Sequence, residues 1–328
     1  MSKILIIGRI PPPIGGVTMH VSRLLESLTA NGFQHFSFCD LANESPYRII
    51  KKIVKHRSIH LHISNPFFQF LLATFCLLTR KKLLLTYHGN WGRYGMLGNG
   101  AVKLSAWLCS IPIVQNKESL VMAKHFNRNA LLISTFIPPT HTIPVDPQLA
   151  QQLNNFRKRF KFVFCTNAWN LVFDKNGRET YGISHIISSM RNVNFGGLII
   201  SDPSGNYQPF INRTLGLVPD NVIFIEGPHD FGNVLHMSDA FIRNTTTDGV
   251  SLSIYEAHER NVVVLASANA SRADFCNVYR DISTIDLVKA LEKGRSRLQN
   301  GEKTAGPNVT NQLIRLYKHC IELNFRLL

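Results

Sequence analysis

The stretch Asp248-Gly-Val-Ser-Leu-Ser-Ile-Tyr-Glu-Ala257 places two carboxylates, Asp248 and Glu256, eight positions apart. Turn- and cap-forming residues lead into apolar residues at helical spacing, so we expect a helix to begin near Val250 or Ser251. The free amides of such a helix start favour an anion, and phosphate is a typical one. Carboxylates on either side would accept hydrogen bonds from sugar hydroxyls, so the segment predicts a site for a nucleotide-sugar.

A plainer interpretation of this spacing is that Asp248 only caps the helix and that Glu256 is a solvated charge on its surface. Spacing alone favours this plainer interpretation. The remainder of the chain favours the nucleotide-sugar site.

The segment resembles the Glu-x7-Glu signature of the retaining glycosyltransferases of family 4 (glycosyl transferases group 1), with Asp248 in place of the first Glu. The run Asn261 to Ser267 is similar to the next strand of that family. The resemblance implies that Glu256 holds the ribose hydroxyls and that Asp248 holds the donor sugar. It also implies that backbone groups receive the phosphates, at Gly249, Val250, Ser251 and Leu252.

Chain length and composition predict a two-domain globular protein. A chain of 328 residues fits two domains of roughly 150 residues each. With 45% apolar and 17% charged residues it is not a disordered chain. We expect a first domain at 1–145, a donor-binding domain at 146–305, and a C-terminal helix at 306–328 that packs back on the first domain.

Short apolar runs alternate with helical periodicity, which predicts an α/β fold with parallel sheets. In the first half we expect strands at Lys3–Ile7, Ile59–Ile63, Leu83–His88, Ile113–Leu120 and Ser134–Pro139, and helices at Val17–Ala30 and Phe67–Leu78. In the second half we expect strands at Phe162–Thr166, Gly197–Ile200, Val222–Gly227, Ala240–Arg243 and Val262–Ala266. The resemblance implies the GT-B architecture, two Rossmann-like domains whose parallel sheets face a central cleft.

Two features of the first half are candidates for the site. The loop before the first helix contains Gly15 and Gly16, which permit a ligand to approach the backbone closely. This pair resembles the family's Gly-Gly loop. The alternative is a tight turn that binds no ligand. His88 ends a predicted strand, where the resemblance implies contact with the donor sugar; a polar strand terminus without a ligand is the alternative. His60 and His62 share one strand face, but no third ligand at a recognisable spacing accompanies them, so no metal site is predicted.

The cation that neutralises the donor diphosphate is not evident from the sequence. The family carries an Arg and a Lys after the first strand of its second domain, and Tyr181 stands at the Lys position here. The remaining candidates are Lys175, Arg178 and Arg243. No Asp-x-Asp occurs, so we expect no metal and no cofactor other than the nucleotide-sugar donor itself.

Charge is concentrated in the first half. Residues 1–145 hold 16 Lys and Arg against 4 Asp and Glu. Basic residues flank apolar ones at helical spacing. This pattern is typical both of a helix that lies on an anionic membrane surface and of an ordinary surface helix whose apolar side packs on the core. The candidates for membrane contact are Arg48, Lys51, Lys52, Lys55, Arg57, Arg80, Lys81 and Lys82. No nucleic-acid motif accompanies them.

Six scattered cysteines and a short N-terminal apolar run predict a cytoplasmic protein, which the basic surface would place at the inner face of a membrane. The resemblance to family 4, together with the basic first half, implies a retaining glycosyltransferase that acts on a glycan or lipid-linked glycan in surface polysaccharide synthesis. The alternatives are a nucleotide-sugar epimerase or hydrolase of the same fold and a non-catalytic binding protein.

Overall fold

A computed structural model describes residues 3–140, 143–174, 176–191, 193, 195–248, 251–300 and 308–325. They form two compact units, one within Met1–Thr140 and Gly306–Leu328 and one within His141–Ala305. Each unit contains a parallel sheet of six strands. Alternation of strands and helices along the chain produces this arrangement, because parallel neighbours need a crossover connection between them.

The first unit contains strands β1 to β6 and helices α1 to α5 and α12. The strands are β1 (Ile4–Gly8), β2 (Phe36–Asp40), β3 (Ser58–His62), β4 (Lys82–Thr86), β5 (Ile111–Val114) and β6 (Leu131–Leu132). The helices are α1 (Gly16–Ala30), α2 (Pro46–Lys55), α3 (Pro66–Leu78), α4 (Met96–Leu108), α5 (Lys117–Phe126) and α12 (Val309–Phe325). The sheet order is β2-β1-β3-β4-β5-β6, so the direction of winding reverses between β1 and β3.

The second unit contains strands β7 to β12 and helices α6 to α11. The strands are β7 (Phe162–Asn167), β8 (Gly196–Asp202), β9 (Val222–Glu226), β10 (Ala240–Arg243), β11 (Val263–Ser267) and β12 (Asn277–Tyr279). The helices are α6 (Pro147–Arg159), α7 (Ile183–Met190), α8 (Tyr207–Leu215), α9 (Phe231–His236), α10 (Leu252–Glu259) and α11 (Leu287–Gln299), with a short 3₁₀ turn at Ile282–Thr284. The order β12-β11-β10-β7-β8-β9 reverses between β7 and β10.

These reversals decide where ligands are expected. In open α/β sheets a crevice forms at the carboxyl ends of the two strands where the order reverses. The crevice lies at the ends of β1 and β3 in the first unit, and at the ends of β7 and β10 in the second.

Helix α12 completes the core of the first unit. Leu313 and Tyr317 are fully buried and belong to one apolar cluster with Ile4 of β1 and Leu24 of α1. The Tyr317 hydroxyl also lies 2.6 Å from Nδ1 of His60 in β3. The last described helix is therefore part of the same core as the first strand.

Most predicted strands are present, but one is wrong, and the strand predicted at Ile113–Leu120 ends at Val114, since α5 begins at Lys117. Ser134–Pro139 contains no strand, and the edge strand β6 lies just before it at Leu131–Leu132. Phe136 and Ile137 are nevertheless buried. Their apolar character reflects packing of an irregular segment on the core, and Pro138 and Pro139 have no amide hydrogen to donate to a sheet.

Candidate functional site

The helix expected after Asp248 is α10, which begins at Leu252 with Ser251 as its N-cap residue. The Ser251 side chain makes no capping bond to the helix, and its Oγ lies 3.0 Å from Oγ of Ser253. The start of α10 is therefore not closed by its own N-cap side chain, which suits an anion-binding helix terminus. Gly249 and Val250 lie outside the described residues.

The Asp248 carboxylate is held by two arginines. Arg243 donates from Nε to Oδ2 at 2.8 Å and from Nη2 to Oδ1 at 3.2 Å. Arg272 donates from Nη1 to Oδ2 at 3.1 Å. The interpretation of Asp248 as a helix cap does not hold, because Ser251 occupies that position and Asp248 belongs to a buried ion-pair cluster.

Arg243 joins the two strands at the reversal point of the second sheet. It is the last residue of β10, and its Nη1 donates to Oδ1 of Asn167, the last residue of β7, at 3.0 Å. Its guanidinium carbon lies 5.1 Å from the centre of the Tyr181 ring. Tyr181, which stands where the family has a lysine, thus supports a cation supplied by another strand.

Arg272 was not predicted from the sequence. It lies in the loop after β11 and turns back to donate from Nη2 to Oγ1 of Thr245 at 2.8 Å and from Nε to the carbonyl of Ser267 at 2.9 Å. Its side chain is only 3% exposed. The available signal was an arginine close behind a strand that ends in serine, and the loop conformation that brings it to Asp248 has no sequence pattern.

The cluster carries a net positive charge in a buried place. Burial alone would raise the pKa of Asp248, but the charges and hydrogen bonds of Arg243 and Arg272 outweigh it and lower that pKa. Burial opposes the charge of Arg243 as well, and the adjoining Asp248 raises its pKa above the ordinary value. Two guanidinium groups and one carboxylate leave an excess of one positive charge for an anionic ligand.

Glu256 also departs from the plainer interpretation. It lies one turn and a little more into α10 and is only 7% exposed, so it is not a solvated surface charge. Its neighbour Glu259 on the same helix is exposed. A buried glutamate near a helix start needs a polar partner to be stable, which suits a ligand hydroxyl as well as a protein group.

The other residues predicted to contact the donor are Arg178, Lys175, Gly15 and Gly16, and their surroundings differ. Arg178 pairs with Asp174 at 3.0 Å on an exposed turn, and Lys175 lies outside the described residues. Gly15 is the N-cap of α1, and an added Cβ at Gly16 would meet no atom within 4 Å. Space beside the backbone therefore remains at Gly16 for a ligand to approach.

His88 lies two residues beyond β4 and joins a cluster of buried rings in the first unit. Its Nε2 is 3.1 Å from Nδ1 of His62. The centroid of its ring is 5.3 Å from that of His20, and the ring centroids of His60 and His62 are 4.0 Å apart, with the ring planes tilted by 48°. His60 and His62 therefore have further histidine neighbours, which come from α1 and from the end of β4.

The basic residues of the first half divide into two groups. Lys52 bonds to Glu44 at 2.6 Å, and Lys81 donates to the carbonyls of Val54 and His56 at 2.7 and 3.0 Å. These two lysines are engaged within the unit. The exposed members are Arg48, Lys51, Lys55, Arg57 and Arg80, while Lys82 is half-buried.

Comparison with known proteins identifies the fold. No protein-family model and no curated protein sequence matches the chain. The structure of HepE (Alr3699) from Anabaena in complex with UDP and glucose is 12% identical, covers 97% of this chain and 100% of its own, and superposes with a TM-score of 0.66. WaaG, a glycosyltransferase involved in lipopolysaccharide biosynthesis, is 12% identical, with coverage of 96% and 99% and a TM-score of 0.66. Sucrose-phosphate synthase from Thermosynechococcus elongatus is 16% identical, with coverage of 97% and 99% and a TM-score of 0.69.

The chain has the GT-B fold of these glycosyltransferases. The predicted class of two Rossmann-like parallel sheets is thereby confirmed. At such low identity the likeness establishes the GT-B fold alone. Within the described residues, none of the helices is both long enough and apolar enough to span a membrane.

Proposed function

We propose that this chain is a glycosyltransferase that moves a sugar from a nucleotide diphosphate sugar to a glycan or lipid-linked glycan acceptor. The observation that carries the proposal is the buried Arg243–Asp248–Arg272 cluster, which lies at the reversal point of the second sheet beside the start of α10. Ligands of open α/β folds bind at that point. The cations and the uncapped helix start match a diphosphate. The carboxylates match the hydroxyl groups of the sugar and the ribose that the diphosphate carries.

The two arginines replace the cations that the resemblance leads one to expect. Arg243 and Arg272 carry more positive charge than Asp248 neutralises, and the amides at the start of α10 add the positive end of a helix dipole. Because the N–H groups of both arginines already bond to protein acceptors, the pair would act on a diphosphate chiefly through its excess charge. The diphosphate would thus be neutralised by protein groups, and no divalent ion is required on it.

Glu256 and Asp248 have the roles that the resemblance implies. Glu256 would accept hydrogen bonds from the ribose hydroxyls, and Asp248 would orient the donor sugar while its arginines hold the phosphates. Attack of the acceptor on the same face as the departing phosphate would retain the anomeric configuration, through an oxocarbenium-like transition state. The positive groups then stabilise the charge that develops on the leaving diphosphate.

Similar structures support a nucleotide-sugar as the donor class. The HepE structure contains UDP and glucose, and WaaG acts in lipopolysaccharide biosynthesis. We infer that a uridine diphosphate sugar is the first donor to test and that the product is a bacterial-type surface polysaccharide. The acceptor would be a growing glycan, free or carried by a lipid.

Exposed apolar stripes favour a lipid-borne acceptor at a cytoplasmic membrane surface. In α2 the stripe is Tyr47, Ile50 and Val54, which are 72%, 60% and 58% exposed. In α3 it is Phe67, Leu71, Phe75 and Leu78, which are 53%, 65%, 37% and 78% exposed. Exposed cations flank them at Lys51, Lys55, Arg57 and Arg80. An apolar stripe bordered by cations matches the chemistry of an anionic lipid interface.

Donor binding tests the enzymatic part of the proposal. We expect one nucleotide diphosphate sugar to raise the melting temperature, since a ligand at about 100 times its Kd adds roughly 2.7 kcal/mol to the folded state. Glu256→Ala should abolish the shift from both nucleotide and donor, and Asp248→Ala should weaken mainly the part due to the sugar. Glu259→Ala, an exposed change on the same helix, is the matched control.

The outcomes separate the alternatives. Transfer that needs an acceptor supports the proposal, whereas donor turnover without any acceptor identifies an epimerase or hydrolase. Donor binding without turnover identifies a non-catalytic binding protein. A donor shift that a chelator abolishes would contradict neutralisation of the diphosphate by Arg243 and Arg272.

Vesicle binding tests the membrane part. The double variant Lys51→Glu/Lys55→Glu should bind vesicles containing anionic lipid at least 10-fold more weakly than the wild type, because each basic residue near such a surface contributes about 1 kcal/mol. Lys289→Glu, an exposed change on α11 of the second unit, is the control. Equal binding of the wild type and the double variant would exclude this surface.

A further inference from the structure

Three histidines converge at the reversal point of the first sheet. His20 comes from the first turns of α1, His62 is the last residue of β3, and His88 follows β4. One nitrogen from each ring lies within 4.8 Å of the other two. The donor-sugar role that the resemblance implies for His88 does not account for the other two rings.

A backbone hydrogen bond fixes the tautomer of His20. Its Nδ1 lies 2.6 Å from the carbonyl oxygen of Thr135, and because a carbonyl only accepts, Nδ1 carries the proton. The lone pair of a neutral His20 is therefore on Nε2, which is buried and has no hydrogen-bond partner among the described residues. A ring that donates one N–H to a backbone carbonyl and presents the other nitrogen is the usual arrangement of a metal-binding histidine.

His62 and His88 supply the other nitrogens. His62 Nδ1 and His88 Nε2 are 3.1 Å apart, close to the roughly 3.3 Å between two ligands of a tetrahedral ion with metal–nitrogen bonds of about 2.0 Å. His62 is 1% and His20 2% exposed, while the half-buried His88 leaves the cluster accessible from one side.

These rings are neutral at physiological pH. Burial, opposed by the hydrogen bond to Thr135 and assisted by the charge of Arg23, lowers the pKa of His20 to about 4. Burial, followed by the neighbouring histidines, lowers the pKa values of His62 and His88 well below the ordinary value. Unprotonated imidazole is the form that binds metal ions.

We propose that His20, His62 and His88 form a binding site for one divalent transition-metal ion, with Zn²⁺ as the expected occupant. Three imidazoles suit Zn²⁺ and its neighbours in the transition series, whereas Mg²⁺ and Ca²⁺ prefer oxygen ligands. Three protein ligands leave a fourth position open for water or another ligand. The site lies in the first unit.

His60 is excluded from the ligand set by its own bonds. Its Nδ1 pairs with the Tyr317 hydroxyl at 2.6 Å and its Nε2 with Oγ1 of Thr86 at 2.8 Å. Its ring lies against that of His62, with centroids 4.0 Å apart, and so supports His62 in its present orientation.

Cobalt titration of the full-length, chelator-treated protein tests the proposal. We expect one equivalent of Co²⁺ to bind with the intense visible absorption of a tetrahedral site, and Zn²⁺ to displace it. His62→Gln and His88→Gln should each weaken binding at least 10-fold. His125→Gln removes an exposed histidine and should leave the absorption unchanged.

Two observations would overturn the site. One is the absence of tetrahedral Co²⁺ absorption in the wild type. The other is the same Co²⁺ affinity in the wild type, His62→Gln and His88→Gln, which would mean binding by surface histidines only. Since His62 is buried, thermal melts must show that the variants are folded. If His62→Gln does not fold, the affinity of His88→Gln, a change at the accessible edge of the cluster, decides the test. Donor binding is measured separately, so failure of this site leaves the proposed transferase function untouched.

Discussion

The two units bury polar groups at equivalent places in opposite ways. In the second unit, the reversal point holds charged groups, Arg243, Asp248 and Arg272, that are paired with one another. In the first unit, it holds histidines that burial keeps neutral. A buried charge must either be paired or be discharged, and this chain uses one solution in each sheet.

The difference indicates what each place can bind. Paired charges with an excess of cations remain charged and suit a diphosphate. Neutral imidazoles offer lone pairs and suit a metal ion. The two sheets thus share a topology that positions a site, while the residues at the strand ends decide its chemistry.

Acidification should affect the first unit most. Burial lowers the pKa of His20 to about 4 and that of His60 to about 3. Between pH 6.5 and 4 the unfolded chain therefore takes up protons that the folded unit does not, so stability falls as pH falls. At pH 5 each of these two rings would cost about 2 kcal/mol.

Hydrogen exchange at pH 7 and pH 5, corrected for intrinsic rates, measures this effect in metal-free protein. Protection of β3 should drop far more than protection of β10. Asp248, with a lowered pKa, contributes stability above its ordinary pKa of 3.8 and loses it only at lower pH. His229 gives the second unit a smaller loss in the same direction. Equal losses at β3 and β10 would remove the contrast between the two clusters.

Arg243→Ala should be the next largest change. Removing one partner of a buried ion pair costs about 3 kcal/mol, because Asp248 would be left with Arg272 alone. Hydrogen exchange should show the loss in β10 and no change in β3. The control Arg178→Ala removes a 63% exposed arginine and should have little effect, because Asp174 keeps the backbone N–H groups of Asn176 and of residue 178 as donors. The same loss in both variants would mean that burial of the Arg243 pair is unimportant.

Tyr317→Phe should have the smallest effect of the three. The change leaves Nδ1 of buried His60 without the hydroxyl 2.6 Å away, which costs about 1 to 2 kcal/mol. Thermal denaturation should detect it, and Tyr47→Phe, at a 72% exposed position, is the control. A melting temperature unchanged from the wild type would show that His60 finds another partner.

Local sequence patterns predicted much of the fold. Continuous apolar runs such as those of β1 and β8 are typical of strands covered on both faces, and they were located closely. The short strands β2 and β12 were missed, since they are three or five residues long and partly exposed. Their pairing depends on neighbouring strands and not on their own composition.

The site was predicted only in part. Asp248, Glu256 and Arg243 stand in a recognisable pattern or at a strand end, and Arg243 does reach the carboxylate. Whether these residues bind a donor stays a prediction. Arg272 depends on a loop conformation, and the partnership of His20 with His62 depends on β1 lying beside β3. Strand order cannot be inferred from the spacing of residues in one chain.

Helix α12 makes the two units depend on the chain in different ways. Tyr317 and Leu313 complete a core that begins with Ile4, so the first unit is made of two segments that the whole second unit separates in sequence. The second unit is one continuous segment. Removal of α12 should leave the second unit resistant to limited proteolysis and make the first unit sensitive. The first unit thus needs a segment distant in sequence to reach its native state, and the second unit does not.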